Sequence, residues 1–266
     1  MKTDAEIAEA ATALRRRCIE MCRGRGRGYV GQGLALADLM ASLYFDEMRR
    51  QDDGSYHDRF ILSTGHSAIA LFATMGELGV YDSDELATYG MDGSRIEESP
   101  LAGTPGFLIT GGSLGQGLSQ AVGFALADRM RASDARTFCL ISDGELQEGQ
   151  IWEAIMSAGH YGLGSLILLV DNNRMQADGD TADVMNVEPL GEKLSAFGFH
   201  TMRVDANDLP ALRAALRQTQ SASAKPYAII CDTLPGKGAP SLEAYEKVHY
   251  VRASDDVWAR ALAEVQ

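Results

Sequence analysis

The sequence predicts an α/β fold, a doubly wound parallel sheet wrapped by helices, on three observations. Apolar runs at 137–142, 165–171, 200–205 and 227–233 alternate with helical stretches at about 149–160, 188–197 and 208–220. Strands alternating with helices make a parallel sheet, because each parallel crossover is long enough to need a helix. Two of the runs end in polar clusters, Ser142-Asp143-Gly144-Glu145 and Asp171-Asn172-Asn173-Arg174-Met175, and ligands bind at the carboxyl edge of such sheets. Finally, 266 residues with 45% apolar and 23% charged composition suit one large folded core. The expected layout is a single domain over 1–266, with an N-terminal helical region of about 1–50 and a C-terminal extension of about 235–266.

Taken in order, residues 4–23 and 34–50 show helical spacing, and Asp38, Leu39, Leu43, Tyr44 and Met48 fit a helix burying one stripe. Between them the glycines of Gly24-Arg25-Gly26-Arg27-Gly28-Tyr29-Val30-Gly31-Gln32-Gly33 deny regular helix and predict a loop. A second glycine-rich segment, Thr110-Gly111-Gly112-Ser113-Leu114-Gly115-Gln116-Gly117, leads into a small-residue helix from Ser119 to Ala132. Farther on, Asp208 before Pro210 marks a helix start, and Gly162 and Gly164 end another before the strand Leu166 to Val170.

The formal charge of −13 repels phosphate backbones and anionic lipid, so neither nucleic acid nor membrane is an expected partner. Its one basic exception, Arg15, Arg16, Arg17, Arg23, Arg25 and Arg27, reads as a solvated face. Cys18, Cys22, Cys139 and Cys231 include no Cys-x-x-Cys pair and fit a reducing compartment. The N-terminus has no apolar core of a signal segment, and the longest aliphatic run is too short to span a bilayer, which makes the cytoplasm the expected location.

Thirty residues separate Asp143 from Asn173, about one strand-helix-strand crossover, so a carboxylate and an amide oxygen can converge on a hard cation. Magnesium suits them, since it takes oxygen ligands, binds few protein groups and fills its shell with water and phosphate. Gly144 removes a side chain where a diphosphate would approach, and the helix after it would offer backbone N–H groups to that anion.

The segment from Ser142 through Ala154, followed by Val170 to Gly179, resembles the thiamine-diphosphate motif of transketolases, with Ser142 in place of the family's first glycine. Asp58 to His66 resembles the family segment ending in a cofactor-side histidine. Thr110 to Gly117 resembles its Thr-Gly-Ser-Leu-Gly-Gln-Gly loop, and Pro235-Gly236-Lys237-Gly238 followed by His249 resembles its C-terminal signature. The likeness spans about residues 10–255. It implies the thiamine-diphosphate-binding (diphosphate-domain) fold, with thiamine diphosphate and Mg2+, or Ca2+ or Mn2+ as substitute. By resemblance Asp143 and Asn173 bind the metal through side chains and Met175 through its carbonyl, while Gly112, Ser113, Leu114, Gly144, Glu145, Asn173, His66 and His249 form the cofactor site. It also implies a second subunit carrying the pyrimidine-binding domain and the catalytic glutamate, as α2β2, and transfer of a two-carbon ketol unit from a ketose phosphate or related donor through a thiamine-bound carbanion-enamine.

Two departures fall on the donor side. Tyr29 stands where the family has a histidine in Ser-Gly-His-Pro-Gly, and Ser99 where it has one in Gly-His-Pro. With His66 and His249 they are the candidate catalytic residues. Because a tyrosine is a poor general base at neutral pH, two alternatives stand beside ketol transfer: a 2-oxo acid decarboxylase subunit passing an acyl unit to a lipoyl or carrier-protein thiol, and a catalytically inactive cofactor-binding paralogue.

Overall fold

The computed structural model describes residues 2–221 and 223–265, which fall into two compact units. One draws on Glu47–Thr64 and Ser113–Asp232, the other on Met1–Asp46, Gly65–Gly112 and Thr233–Gln266.

The first unit holds a five-stranded sheet: β1 (Arg59–Leu62), β2 (Thr137–Ser142), β3 (Leu166–Asn172), β4 (His200–Asp205) and β5 (Tyr227–Asp232). The strands run in the order β1-β2-β3-β5-β4, all parallel. Every residue of β2 and β3 is buried, as expected for strands covered on both faces. β2 to β5 lie within a residue of the predicted runs. β1 is an addition, a four-residue edge strand too short to show a period. The helices of this unit include Gly117–Met130, Gly149–Tyr161, Leu190–Ala196 and Leu209–Gln218. The last starts as predicted, the Asp208 carboxylate accepting the Ala211 N–H at 3.2 Å to satisfy one of the free first-turn amides. Below the amino ends of β1 and β2, the buried Arg136 guanidinium pairs with Glu47 and with Asp58, 2.8 Å away. Arg49 adds a second cation to Asp58 at 2.7 Å.

The second unit is helical. Its first helix, Asp4–Arg25, opens on a capping box between Thr3 and Glu6 and ends at the left-handed Gly26, φ 72°. Helices Val30–Ala35, Ala37–Ser42, Ala68–Glu77 and Asp255–Glu264 follow, and a two-residue antiparallel ribbon joins Arg27–Gly28 to Val251–Arg252.

The predicted loop at 24–33 and helix at 34–50 are corrected here. The loop shrinks to 26–29, helix resumes at Val30 and runs through Gly31 and Gly33, and the helices break at Leu36. These glycines serve packing rather than flexibility. A Cβ on Gly31 would lie 2.2 Å from the Val248 carbonyl oxygen, and one on Gly33 2.9 Å from Cys18 Sγ. Nor is there a single buried stripe, since every residue from Val30 to Tyr44 is buried. The N-terminal arginines are spent locally: Arg15 pairs with Asp38, Arg17 with Glu77, Arg23 with Asp255 and Arg25 with Glu98. Arg16 donates to the carbonyls of Leu262 and Val265, so these five are committed to intramolecular contacts.

Candidate functional site

The polar clusters at the ends of β2 and β3 are brought side by side, with Ser142 registered opposite Asp171 and the Asp143 N–H donating to the Asp171 carbonyl at 3.0 Å. Asp143 is 1% exposed. Its Oδ1 accepts the Gly144 N–H at 2.9 Å and its Oδ2 the Thr181 hydroxyl at 2.8 Å, but among the described residues no Lys, Arg or His pairs with it. Burial pushes the carboxyl up to about 6 against the pull of Thr181 and the backbone amides.

Asn173, also buried, is oriented from both ends. Its Nδ2 donates to Asp171 Oδ2 at 2.8 Å and its Oδ1 accepts the Met175 N–H at 2.9 Å, while Arg174 takes a left-handed turn, φ 63°. A carboxylate without a cationic partner and a fixed amide oxygen on neighbouring strand ends are donors of the kind a hard divalent ion takes, and the Met175 carbonyl could add a third. Among the described residues no three His, Cys, Asp or Glu side chains converge on a metal site.

The first amides of the turn after β2 bond within the chain. The Gly144 N–H is spent on Asp143 and the Glu145 N–H on Ser142 Oγ at 3.1 Å. A 3-10 turn, Glu145–Gln147, stands before the helix at Gly149.

Glu145 is fully buried, and its carboxylate turns toward the glycine-rich segment. Oε1 accepts from the Ser63 hydroxyl and from the Gly115 N–H, the latter at 2.6 Å, and Ser63 Oγ in turn accepts the Gly117 N–H at 3.0 Å. Gln150 Nε2 donates to the Leu114 carbonyl at 3.0 Å. The segment after Ser113 is therefore strapped to the turn that carries Asp143.

In the helical unit, three predicted catalytic residues meet. The Tyr29 ring centroid lies 5.5 Å from His66 and 5.7 Å from His249, and the two imidazoles are 5.2 Å apart. Tyr250 packs on Tyr29 at 4.8 Å and donates its hydroxyl to Glu98 at 3.2 Å. Burial, helped by the neighbouring His249, lowers His66 to about 4, and burial lowers His249 as well, so both rings are neutral at pH 7. Burial and the Glu98 charge raise Tyr29 above the usual phenol value. Ser99, the fourth candidate, is exposed beside Glu98. Its Oγ lies 3.7 Å from where a Cβ on Gly112 would sit, and Gly112 in turn closely approaches Gly65.

Sequence reasoning missed Thr181, which lies 38 residues from Asp143, and Ser63, Gln32, Glu98 and Tyr250. No local pattern announces them, because each works on a partner distant in sequence.

Residues 6–261 match the family described as transketolase, thiamine diphosphate binding domain. The chain is 47% identical over 261 residues to an uncharacterised transketolase family protein of Sinorhizobium fredii, covering 96% of this chain and 94% of that one. It is 35% identical to the 6-deoxy-6-sulfo-D-fructose transketolase subunit of a Clostridium species, covering 98% and 96%. To one subunit of the apulose-4-phosphate transketolase of Phocaeicola vulgatus it is 32% identical, covering 94% and 90%. Among solved structures, transketolase from Leishmania mexicana superposes with a TM-score of 0.90 at 30% identity, over all of this chain but only 41% of that one.

Proposed function

This chain belongs to the transketolase family, and from that membership we propose that it is the diphosphate- and magnesium-binding subunit of a two-subunit enzyme transferring a two-carbon ketol unit. The observation that carries the reading is Asp143, a buried carboxylate with no cationic partner among the described residues, set beside Asn173. Burying an uncompensated charge costs several kcal/mol, and a divalent ion held by Asp143, Asn173 and the Met175 carbonyl would offset that cost. Intact donors of this kind also argue against the inactive-paralogue reading.

Bound thiamine diphosphate would supply the carbanion chemistry by which a ketol unit is accepted and passed on. The protein's part is to hold and to orient. Thr181 and Asp171 fix the two metal-binding side chains, Glu145 and Ser63 hold the segment from Ser113 to Gly117, and His66, His249 and Tyr29 offer hydrogen bonds to uncharged donor oxygens. Two neutral imidazoles with the Glu98 carboxylate near Tyr29 favour a ketose hydroxyl or carbonyl over the carboxylate of a 2-oxo acid. Relatives of nearly the same length are named as subunits, which supports a partner chain bringing the pyrimidine-binding domain and the catalytic glutamate, in an α2β2 assembly acting on a ketose phosphate or related donor.

The test is Asp143→Ala, with thiamine diphosphate binding followed by calorimetry at fixed magnesium in the presence of the partner. We expect a fall in affinity of about a hundredfold or more, since losing even an outer-shell partner of a metal ligand costs roughly ten- to a hundredfold; unchanged affinity removes the site.

A further inference from the structure

We propose that Gln32 is a positioning residue that holds His249 in the tautomer with its proton on Nε2, so that this histidine meets the donor substrate as a hydrogen-bond donor to a hydroxyl or carbonyl oxygen.

Gln32 is 1% exposed, and its Nε2 lies 2.6 Å from His249 Nδ1. The approach is built into the backbone. Tyr29 directly precedes the helix Val30–Ala35 and Gln32 lies in its first turn, and both side chains reach His249. Gly31 lets the helix lie against Val248, where a Cβ would fall 2.2 Å from the carbonyl oxygen. The Gly31 carbonyl also accepts the Gly236 N–H at 3.0 Å. The segment carrying His249 is thereby pressed onto the Gln32 amide.

A carboxamide nitrogen can only donate, so the facing Nδ1 must present its lone pair, and in a neutral imidazole the proton then sits on Nε2. The amide could be turned over, with Oε1 accepting a proton from Nδ1. That would leave both N–H groups of the buried amide unmet, whereas in the observed orientation one N–H faces His249 and the other N–H and Oε1 are without a partner among the described residues. The two orientations thus differ by one under-satisfied carbonyl oxygen against one further orphaned N–H, and the oxygen is the lesser cost. A protonated His249 would place N–H against N–H and lose the contact, so Gln32 also opposes the imidazolium. His249 is thus set as a donor with its lone pair occupied, and cannot take a proton at Nδ1 while Gln32 stays in place. The chemical class it recognises is an uncharged oxygen, as in an α-hydroxy ketone.

The inference rests on the reading of His249 as a substrate-side residue, but its test does not. Nitrogen-15 histidine spectra of the full chain, with the His249 signals identified by their loss in His249→Asn, report the tautomer directly. We expect a pyridine-type Nδ1 and a pyrrole-type Nε2 in the unmodified chain, a mixture in Gln32→Leu, and a reversed assignment in Gln32→Glu, whose carboxylate accepts from Nδ1–H. In the assembled enzyme, Gln32→Glu should lower kcat/KM for a ketose donor about tenfold, as for one lost hydrogen bond. A proton on Nδ1 in the unmodified chain, or an unaltered tautomer in Gln32→Leu, overturns the proposal. Ketol transfer left intact by His249→Asn overturns instead the reading on which it rests, so the two failures are distinguishable.

Discussion

A phenol at position 29 changes what the ring cluster can do with a proton. Burial and the Glu98 charge hold Tyr29 above its usual pKa, so at neutral pH it donates a hydrogen bond and does not act as a base, whereas an imidazole there could shuttle protons. Tyr29→His should therefore shift donor preference, with kcat/KM for a pentulose phosphate changing about tenfold or more relative to the native donor, on the scale expected when a group able to act in general acid-base catalysis is introduced. A substrate panel with unchanged ratios and rates would count against a donor-side role for Tyr29. At this scale legibility depended on locality. Asp143 and Asn173 could be read because they end strands one crossover apart, while Gln32 and His249 meet across 217 positions and leave no spacing to recognise.

Elements are held in register here by buried polar straps. Glu145 joins the turn after β2 to the segment 115–117 through Ser63 and two backbone amides. Glu145→Ala would leave those donors unmet, and we expect a loss of roughly 2–4 kcal/mol in urea unfolding, from two hydrogen bonds to a charged group, together with weaker thiamine diphosphate binding; equal stability would show that the strap is idle. At the other end of the strands, Asp58 ties β1 to β2. Burial would raise its pKa, but hydrogen bonds from Arg49 and Arg136 outweigh that and hold it at about 2. A folded pKa below the unfolded one contributes stability above about pH 4, and that contribution disappears as pH falls from about 4 towards 2. Arg136→Ala should flatten this acid limb and cost roughly 3–5 kcal/mol at pH 7, because it takes the cation from buried Glu47 and leaves Asp58 with Arg49 alone; a pH series of thermal melts decides it. The alternation of apolar runs predicted β2 to β5, but not β1, which is a strand only because β2 supplies its hydrogen bonds.

For the whole molecule, the expected behaviour is dependence on a partner. Mixed with the chain carrying the pyrimidine-binding domain, this chain should give ketol transfer and a heteromer retaining thiamine diphosphate in native mass spectrometry with magnesium. Alone it should give neither, and full activity alone would refute the split architecture. The net charge of −13 predicts weak retention on nucleic acid at any salt. The sequence alone determined the α/β class, the places of four strands, the family resemblance and the candidate ligands of a divalent ion, because these depend on period, on turn chemistry and on residues a fixed crossover apart. Only the tertiary structure decided that the glycines at 31 and 33 belong to a helix, that the amides after Gly144 are already spent, that Glu145 faces inward and that Gln32 meets His249. Those outcomes are set by packing and by long-range hydrogen bonds, whose partners are close in space and far apart along the chain.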